Sequence, residues 1–119
     1  MPVKPKEIRI SGGMSKSEAW CRTIADVFEC DVVPVEGEGA ALGAALHAAW
    51  VYSKESGSPV PLKELTSAFV VLDEKRRKKP VSENVQVHQI QKQLFHALSA
   101  RVRGETGEDP FALRAKLLV

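Results

Sequence analysis

Between Glu7 and Val35 the hydrophobic period of this sequence changes twice, from two to about 3.6 and back. Glu7-Ile8-Arg9-Ile10-Ser11 alternates polar and apolar residues in a short β-branched run, which predicts a strand. Gly12-Gly13 ends it. From Ser15 on, Ala19, Trp20, Ile24, Val27 and Phe28 recur three and four residues apart, predicting an amphipathic helix of about four turns. Ser15 is its expected N-cap, with Glu18 three residues later completing a capping box. Asp31-Val32-Val33-Pro34-Val35 is again short and β-branched, and its proline restricts it to a sheet edge or a strand end. The pattern predicts an α/β fold of short strands with packed helices.

Glu36-Gly37-Glu38-Gly39 makes a polar joint, and Ala40 to Trp50 follows as a helix composed almost wholly of small residues. Small side chains let another backbone come close, so this helix is expected to lie buried against a neighbouring element. Gly39 and Gly43 form a GxxxG pair that signals close packing; Leu at either position is expected to overpack the fold by about 1–3 kcal/mol. Ser56-Gly57-Ser58-Pro59 ends the helix. Pro61 to Leu65 reads as a short helix, and Ala68 to Leu72 as a brief strand or buried loop. Val85, Ile90, Leu94, Leu98 and Val102 then mark an amphipathic helix over 85–102. Beyond Gly104 the chain is polar and loose as far as Pro110, and Phe111 to Leu118 adds one or two helical turns. Met1 to Pro5 reads as an extended lead-in.

Several function classes find no support. Apolar residues at 44% and charged residues at 27% place the chain with ordinary globular proteins, and its 119 residues suit one domain with a modest core, expected to bury roughly two thirds of the unfolded surface. Cys21 and Cys30 stand nine apart, matching neither a redox nor a zinc pair, and read as buried structural residues. No charged segment leads into an apolar one at the start, so the cytoplasm is the expected compartment. The apolar stretch from Ala40 to Tyr52 is interrupted by His47 and falls short of the roughly 20 residues a membrane span needs. Neither a GxGxxG fingerprint nor a Walker loop is present. His88 and His96 stand two helical turns apart, too far to share a metal, and Glu36 and Glu38 read as helix-start acids before acid/base partners.

Net charge is +2, but residues 61–119 carry eleven Lys/Arg against seven Asp/Glu. The excess sits in Lys75-Arg76-Arg77-Lys78-Lys79. Without interleaved aromatics or a recognition-helix pattern, this run reads as a solvated loop ahead of a nucleic-acid footprint.

Gly12-Gly13 between strand and helix is the main candidate for chemistry. Two glycines allow unusual backbone angles and remove side chains where a ligand approaches the main chain. By itself such a turn is a common structural device. It gains meaning from the order in which Ile10-Ser11-Gly12-Gly13-Met14-Ser15-Lys16-Ser17, Trp20, Ala25-Asp26-Val27-Phe28 and Glu38-Gly39-Ala40-Ala41-Leu42-Gly43-Ala44-Ala45 succeed one another. This set resembles the C-terminal part of the FGGY carbohydrate kinases, with their GGG-x-[KRS]-S-x-x-W stretch, A-D-V/I helix end and G-x-A-L-G-A-A helix start. The likeness runs from about Ile8 to Trp50. The E-G-A-A-L-G-A-A form is more similar to xylulokinases and related pentose or gluconate kinases than to glycerol kinases, which implies D-xylulose as the sugar.

The resemblance implies the actin/hexokinase/heat-shock-protein superfamily, in which two RNase H-like domains close over ATP with Mg²⁺ and a substrate. Residues 1–103 would form part of the C-terminal, nucleotide-side domain, and residues 104–119 a tail with a short helix. Gly12 and Gly13 would lie against the ribose and α-phosphate, Met14 would line the adenine, and Ser17 would face its edge. Met14 stands where the family often has a third glycine. The implied partners are ATP or ADP and the N-terminal sugar-binding domain of the parent kinase. The catalytic base and sugar site belong to that other part, so the chain is expected to be inactive alone and prone to self-association. Two other readings stand beside this one, a non-catalytic packing module and a small basic nucleic-acid binder.

Overall fold

A computed structural model of the chain describes residues 5–37 and 39–117. Strand β1 (Glu7–Ile10) passes through Gly12 into a 3-10 turn (Gly13–Lys16), helix α1 (Glu18–Phe28) and strand β2 (Asp31–Pro34). The strands pair in parallel, Ile8 opposite Val32 and Ile10 opposite Pro34, with α1 as the crossover. Helix α2 (Gly39–Glu55) and helix α3 (Leu62–Phe69) follow, then a 3-10 turn (Glu74–Arg76), helix α4 (Ser82–Val102) and helix α5 (Pro110–Ala115).

Between α3 and α4 the chain returns along the far side of β2. Val32 and Lys78 exchange backbone hydrogen bonds of 2.9 and 2.8 Å, and Asp73 N–H donates to Pro34 O at 2.9 Å. Val35 bridges Leu72 in the same antiparallel sense. Strand β2 therefore lies between two neighbours, with Pro34 at its end, as the sequence requires. Val32 and Val33 point to opposite faces, and both are fully buried. Under β2, Ile10, Cys21, Ala25 and Val32 form the core, with Ile8 and Ile24 against it.

Helix α1 begins later than the sequence suggests. Its N-cap is Ser17, whose Oγ accepts from Trp20 N–H at 3.3 Å, and not Ser15. The glycines let the backbone make a 3-10 turn first, and Ser15 is drawn into it and buried, donating to Gly12 O at 2.7 Å. Glu18 completes no capping box; it pairs with Lys78 at 3.1 Å. The cysteines are both buried and free. Burial, with a smaller contribution from Asp31, pushes the Cys30 thiol above its ordinary pKa.

Three further differences follow from tertiary contacts. Helix α3 runs on to Phe69, past the expected Leu65. Helix α4 starts at Ser82 because Asp26, buried on α1, accepts hydrogen bonds from Val81 N–H at 2.7 Å and Asn84 Nδ2 at 2.8 Å. A carboxylate from another helix thus caps α4 in the sense its dipole favours. The small-residue helix α2 is not enclosed: Leu46 is its one buried residue among those described, and most of its alanines face solvent. Helix α5 takes Asp109 as N-cap and Pro110 in its first turn, and packs against α4 through the buried Pro110 and Leu113. The expected lead-in over 1–4, Glu38 and Leu118 lie outside the described residues.

The shape carries the consequence. The radius of gyration is 19.9 Å, against about 13–14 Å for a compact domain of this length. The chain exposes 8810 Å², where a compact monomer of its mass exposes about 6,300 Å². Set against about 18,900 Å² for the unfolded chain, folding buries a little over half, short of the two thirds that length alone leads one to expect.

Candidate functional site

The Gly12-Gly13 corner sits at the C-terminal end of β1, on the parallel side of the sheet. Gly12 has φ +78° and ψ −161°, a region accessible in practice to glycine alone. A Cβ on either glycine would meet nothing within 4 Å. The fold therefore requires glycine at 12 for its backbone angles, while the absence of a side chain at 13 serves nothing inside the chain. Ser11, Gly12, Gly13 and Met14 are all exposed.

Of the four residues the sequence singled out, Gly12, Gly13 and Met14 form one accessible edge. Ser17 stands at the start of α1, half-buried, with its Oγ engaged by Trp20 N–H. Its lone pairs leave room for a second contact, but its first duty is the cap. Trp20 lies one turn on and is 53% exposed, a natural reporter for this edge.

The corner is held from behind by residues the sequence did not connect with it. Arg76 Nη2 donates to Ser15 O at 2.6 Å, and the buried Cys21 thiol approaches the same carbonyl at 3.7 Å. Arg77 pairs with Glu7 at 2.7 Å, Glu74 at 2.6 Å and Asp31 at 3.4 Å. Lys78 pairs with Glu18. Three of the five cations in the basic run are thus committed within the fold, leaving Lys75 and Lys79 as its exposed ones.

Protonation equilibria follow the pairing. Arg9, then Arg77, holds the Glu7 carboxyl below its ordinary pKa. Arg77 does the same for Glu74, and Lys78 for Glu18. The Arg77 guanidinium is raised in turn, chiefly by Glu74 and then Glu7. A contact of this kind between distant segments has no local sequence signal; opposite charges at Glu7, Asp31 and Arg77 are the one hint the sequence contains.

Next to Ser11 a largely apolar groove of about 360 Å³ runs between α2 and α3, lined by Val35, Leu42, Leu46, Leu62 and Val70 among others. Gly39 and Gly43 border it, and they differ. A Cβ at Gly39 would come within 2.5 Å of Ser11 Cβ and Oγ, whereas one at Gly43 meets nothing within 4 Å. Close packing at Cβ is therefore found at the first glycine and, among the described residues, not at the second.

Among the described residues no group of three or more His, Cys, Asp or Glu side chains stands ready to hold a metal. Glu36 is exposed, and Glu38, read with it as a helix-start acid, lies outside the described residues. His88 bonds locally to Gln91 at 2.8 Å. No helix among the described residues is long and apolar enough to cross a membrane.

Comparison with known proteins bears on this corner directly. Residues 2–52 match the model for the C-terminal domain of the FGGY family of carbohydrate kinases. Over 88 residues the chain is 36% identical to a xylulose kinase of Haemophilus influenzae, an alignment covering 73% of this chain and 17% of that protein. The chain thus spans about a sixth of the length of the curated relative it matches. No solved structure matches.

Proposed function

Through residues 2–52 this chain belongs with the FGGY carbohydrate kinases, and it is similar to a xylulose kinase; from that premise we propose that it forms the adenosine-holding part of an ATP-dependent sugar kinase. The observation that carries the proposal is the place of the Gly12-Gly13 corner inside the matched stretch, exposed and with a glycine-only backbone at its first residue. The actin-like, RNase H-like architecture is part of the same reading, supported by a parallel β-α-β unit with helices packed on it.

In this reading Gly12 and Gly13 lie against the ribose and α-phosphate, with no side chain to hold the nucleotide off. Met14 lines the adenine face, and Ser17, beyond its cap bond, faces the adenine edge. The parent reaction transfers the γ-phosphoryl group of ATP to a sugar hydroxyl, with D-xylulose as the proposed substrate. Such a transfer requires a base for the hydroxyl proton, and Mg²⁺ would supply charge neutralisation to the phosphates. Both are assigned to the remainder of the kinase, so this chain alone binds nucleotide without turning it over.

The second partner in this reading is the sugar-binding domain, and α2 is the surface that supports it. A helix apolar on all sides is normally enclosed. Here its alanines are exposed, which equally supports the plainer reading of a packing module. A free apolar helix of this kind favours self-association until it is covered. A cytoplasmic location goes with this proposal.

Titration with ADP, ATP and adenosine, followed through Trp20 fluorescence in a Trp50→Phe background, separates the two readings. A saturable change within millimolar nucleotide is expected. No such change leaves the packing module.

A further inference from the structure

The contact between Arg76 and Ser15 joins residues 61 apart in sequence, and it falls on the turn that sets the glycine corner. Ser15 is 6% exposed; its Oγ donates to Gly12 O at 2.7 Å and its N–H to the same carbonyl at 3.1 Å. Both bonds fold the chain back on Gly12 and fix the peptide plane between the two glycines. The Ser15 carbonyl receives the Arg76 guanidinium at 2.6 Å. Arg76 is itself aimed: its backbone N–H donates to Asp73 Oδ1 at 3.3 Å, and Nη1 lies 3.9 Å from Asp73 Oδ2.

The neighbouring cations do other work. Arg77 and Lys78 pair with carboxylates on β1, β2, α1 and the turn before them, while Lys75 and Lys79 are exposed. Arg76 is the member of the run that touches the turn behind the corner. A charge-assisted hydrogen bond to a carbonyl is stronger than a neutral one and holds its acceptor in one orientation.

We propose that Arg76 is a positioning residue for nucleotide binding: by clamping the Ser15 carbonyl it holds Gly12, Gly13 and Met14 in the geometry that receives adenosine. This rests on the reading of that corner as the adenosine loop. Arg76 does not touch the ligand, so its effect is the same for adenosine and for ATP. That separates it from a cation acting at a distance on phosphates, whose effect vanishes for uncharged adenosine.

The test uses the full chain and the variants Arg76→Gln, Arg76→Lys, Lys75→Gln and Lys79→Gln. It reads adenosine and ADP affinity, thermal melting and amide hydrogen exchange across residues 12–17. Arg76→Gln is expected to weaken adenosine and ADP alike by about tenfold, the size of a lost hydrogen bond to a charged group. It should also speed exchange across 12–17 while the amides of α4 keep their protection. Arg76→Lys, which retains a charged donor, restores part of both; Lys75→Gln and Lys79→Gln change neither.

Exchange across 12–17 that stays unchanged in Arg76→Gln overturns the inference. So does a loss confined to ADP and shared with Lys75→Gln, which marks bulk charge. A general fall in melting temperature with α4 deprotected, not rescued by Arg76→Lys, assigns Arg76 to overall stability and overturns it as well. If the unaltered chain binds no nucleotide, the adenosine reading and the proposed role in binding fall together. Exchange then still reports whether Arg76 fixes the corner.

Discussion

Helix α1 lies between the two short strands and helix α2 follows the second, yet the chain buries a face of one and leaves the other open. Helix α1 has an apolar stripe that meets the sheet, with Cys21, Ala25 and Asp26 buried. Behind it the segment over 71–84 returns to pair with β2, to cap α4 on Asp26 and to anchor the basic run. Helix α2 is apolar on every side and buries Leu46 alone among its described residues. An amphipathic helix can be satisfied by one neighbour; a uniformly apolar one needs neighbours all round. The contrast teaches that a helix with one apolar stripe buries that stripe against its own sheet, while a helix apolar all round keeps most of its small residues exposed in this chain.

The two glycine pairs repeat the contrast at the scale of single residues. Gly12 and Gly39 are demanded by the fold, one by its backbone angles and the other by Ser11. Gly13 and Gly43 face open space.

The sharpest way to break the closed half is to remove Asp26. Asp26→Ala leaves Val81 N–H and Asn84 without their acceptor and is expected to cost about 2–3 kcal/mol in denaturant unfolding. A loss below 0.5 kcal/mol, the range of ordinary surface changes, rejects the cap. Next in size are the demanded glycines. Gly12→Ala places a side chain in the glycine-only region and Gly39→Ala drives a Cβ into Ser11, at about 1–3 kcal/mol each. Gly13→Ala is expected within about 0.5 kcal/mol of the unaltered chain and, on the proposed function, to lower nucleotide affinity all the same, while Gly43→Ala, inside α2 with open space around it, is expected to stabilise by up to about 1 kcal/mol. Equal losses within each pair abolish the distinction.

Acid gives a smaller and graded effect. Glu7 and Glu74 have folded pKa values below their unfolded ones, so their stabilisation is complete above the ordinary carboxylate range and is lost as pH falls through the lowered values. Melting temperature should therefore fall below about pH 4. Arg77→Gln, which removes the shared partner, should flatten that slope. An unchanged slope in Arg77→Gln disproves the assignment. For the open half, light scattering should show association that rises with concentration and that charged substitutions such as Ala44→Glu suppress.

Much of this was legible in the sequence. Period changes located β1, α1, β2 and α4, a run of small residues located α2, and the order of short motifs pointed to the family. Local pattern failed where local rules competed. Ser15 and Ser17 both stand where an N-cap fits, and the 3-10 turn after the glycines, which local pattern did not show, gave the cap to Ser17. The GxxxG spacing marks two small residues without saying which one has a neighbour.

What the sequence by itself determined is the order of elements and the glycine corner, because hydrophobic period and backbone sterics act within a few residues. The tertiary structure alone decided that Asp26 caps a helix 55 residues away, that Arg76 holds the corner from behind, and that α2 stays uncovered. Those outcomes depend on which distant groups reach one another once the chain has folded, and a run of five cations looks the same in sequence whether its charges meet solvent or carboxylates.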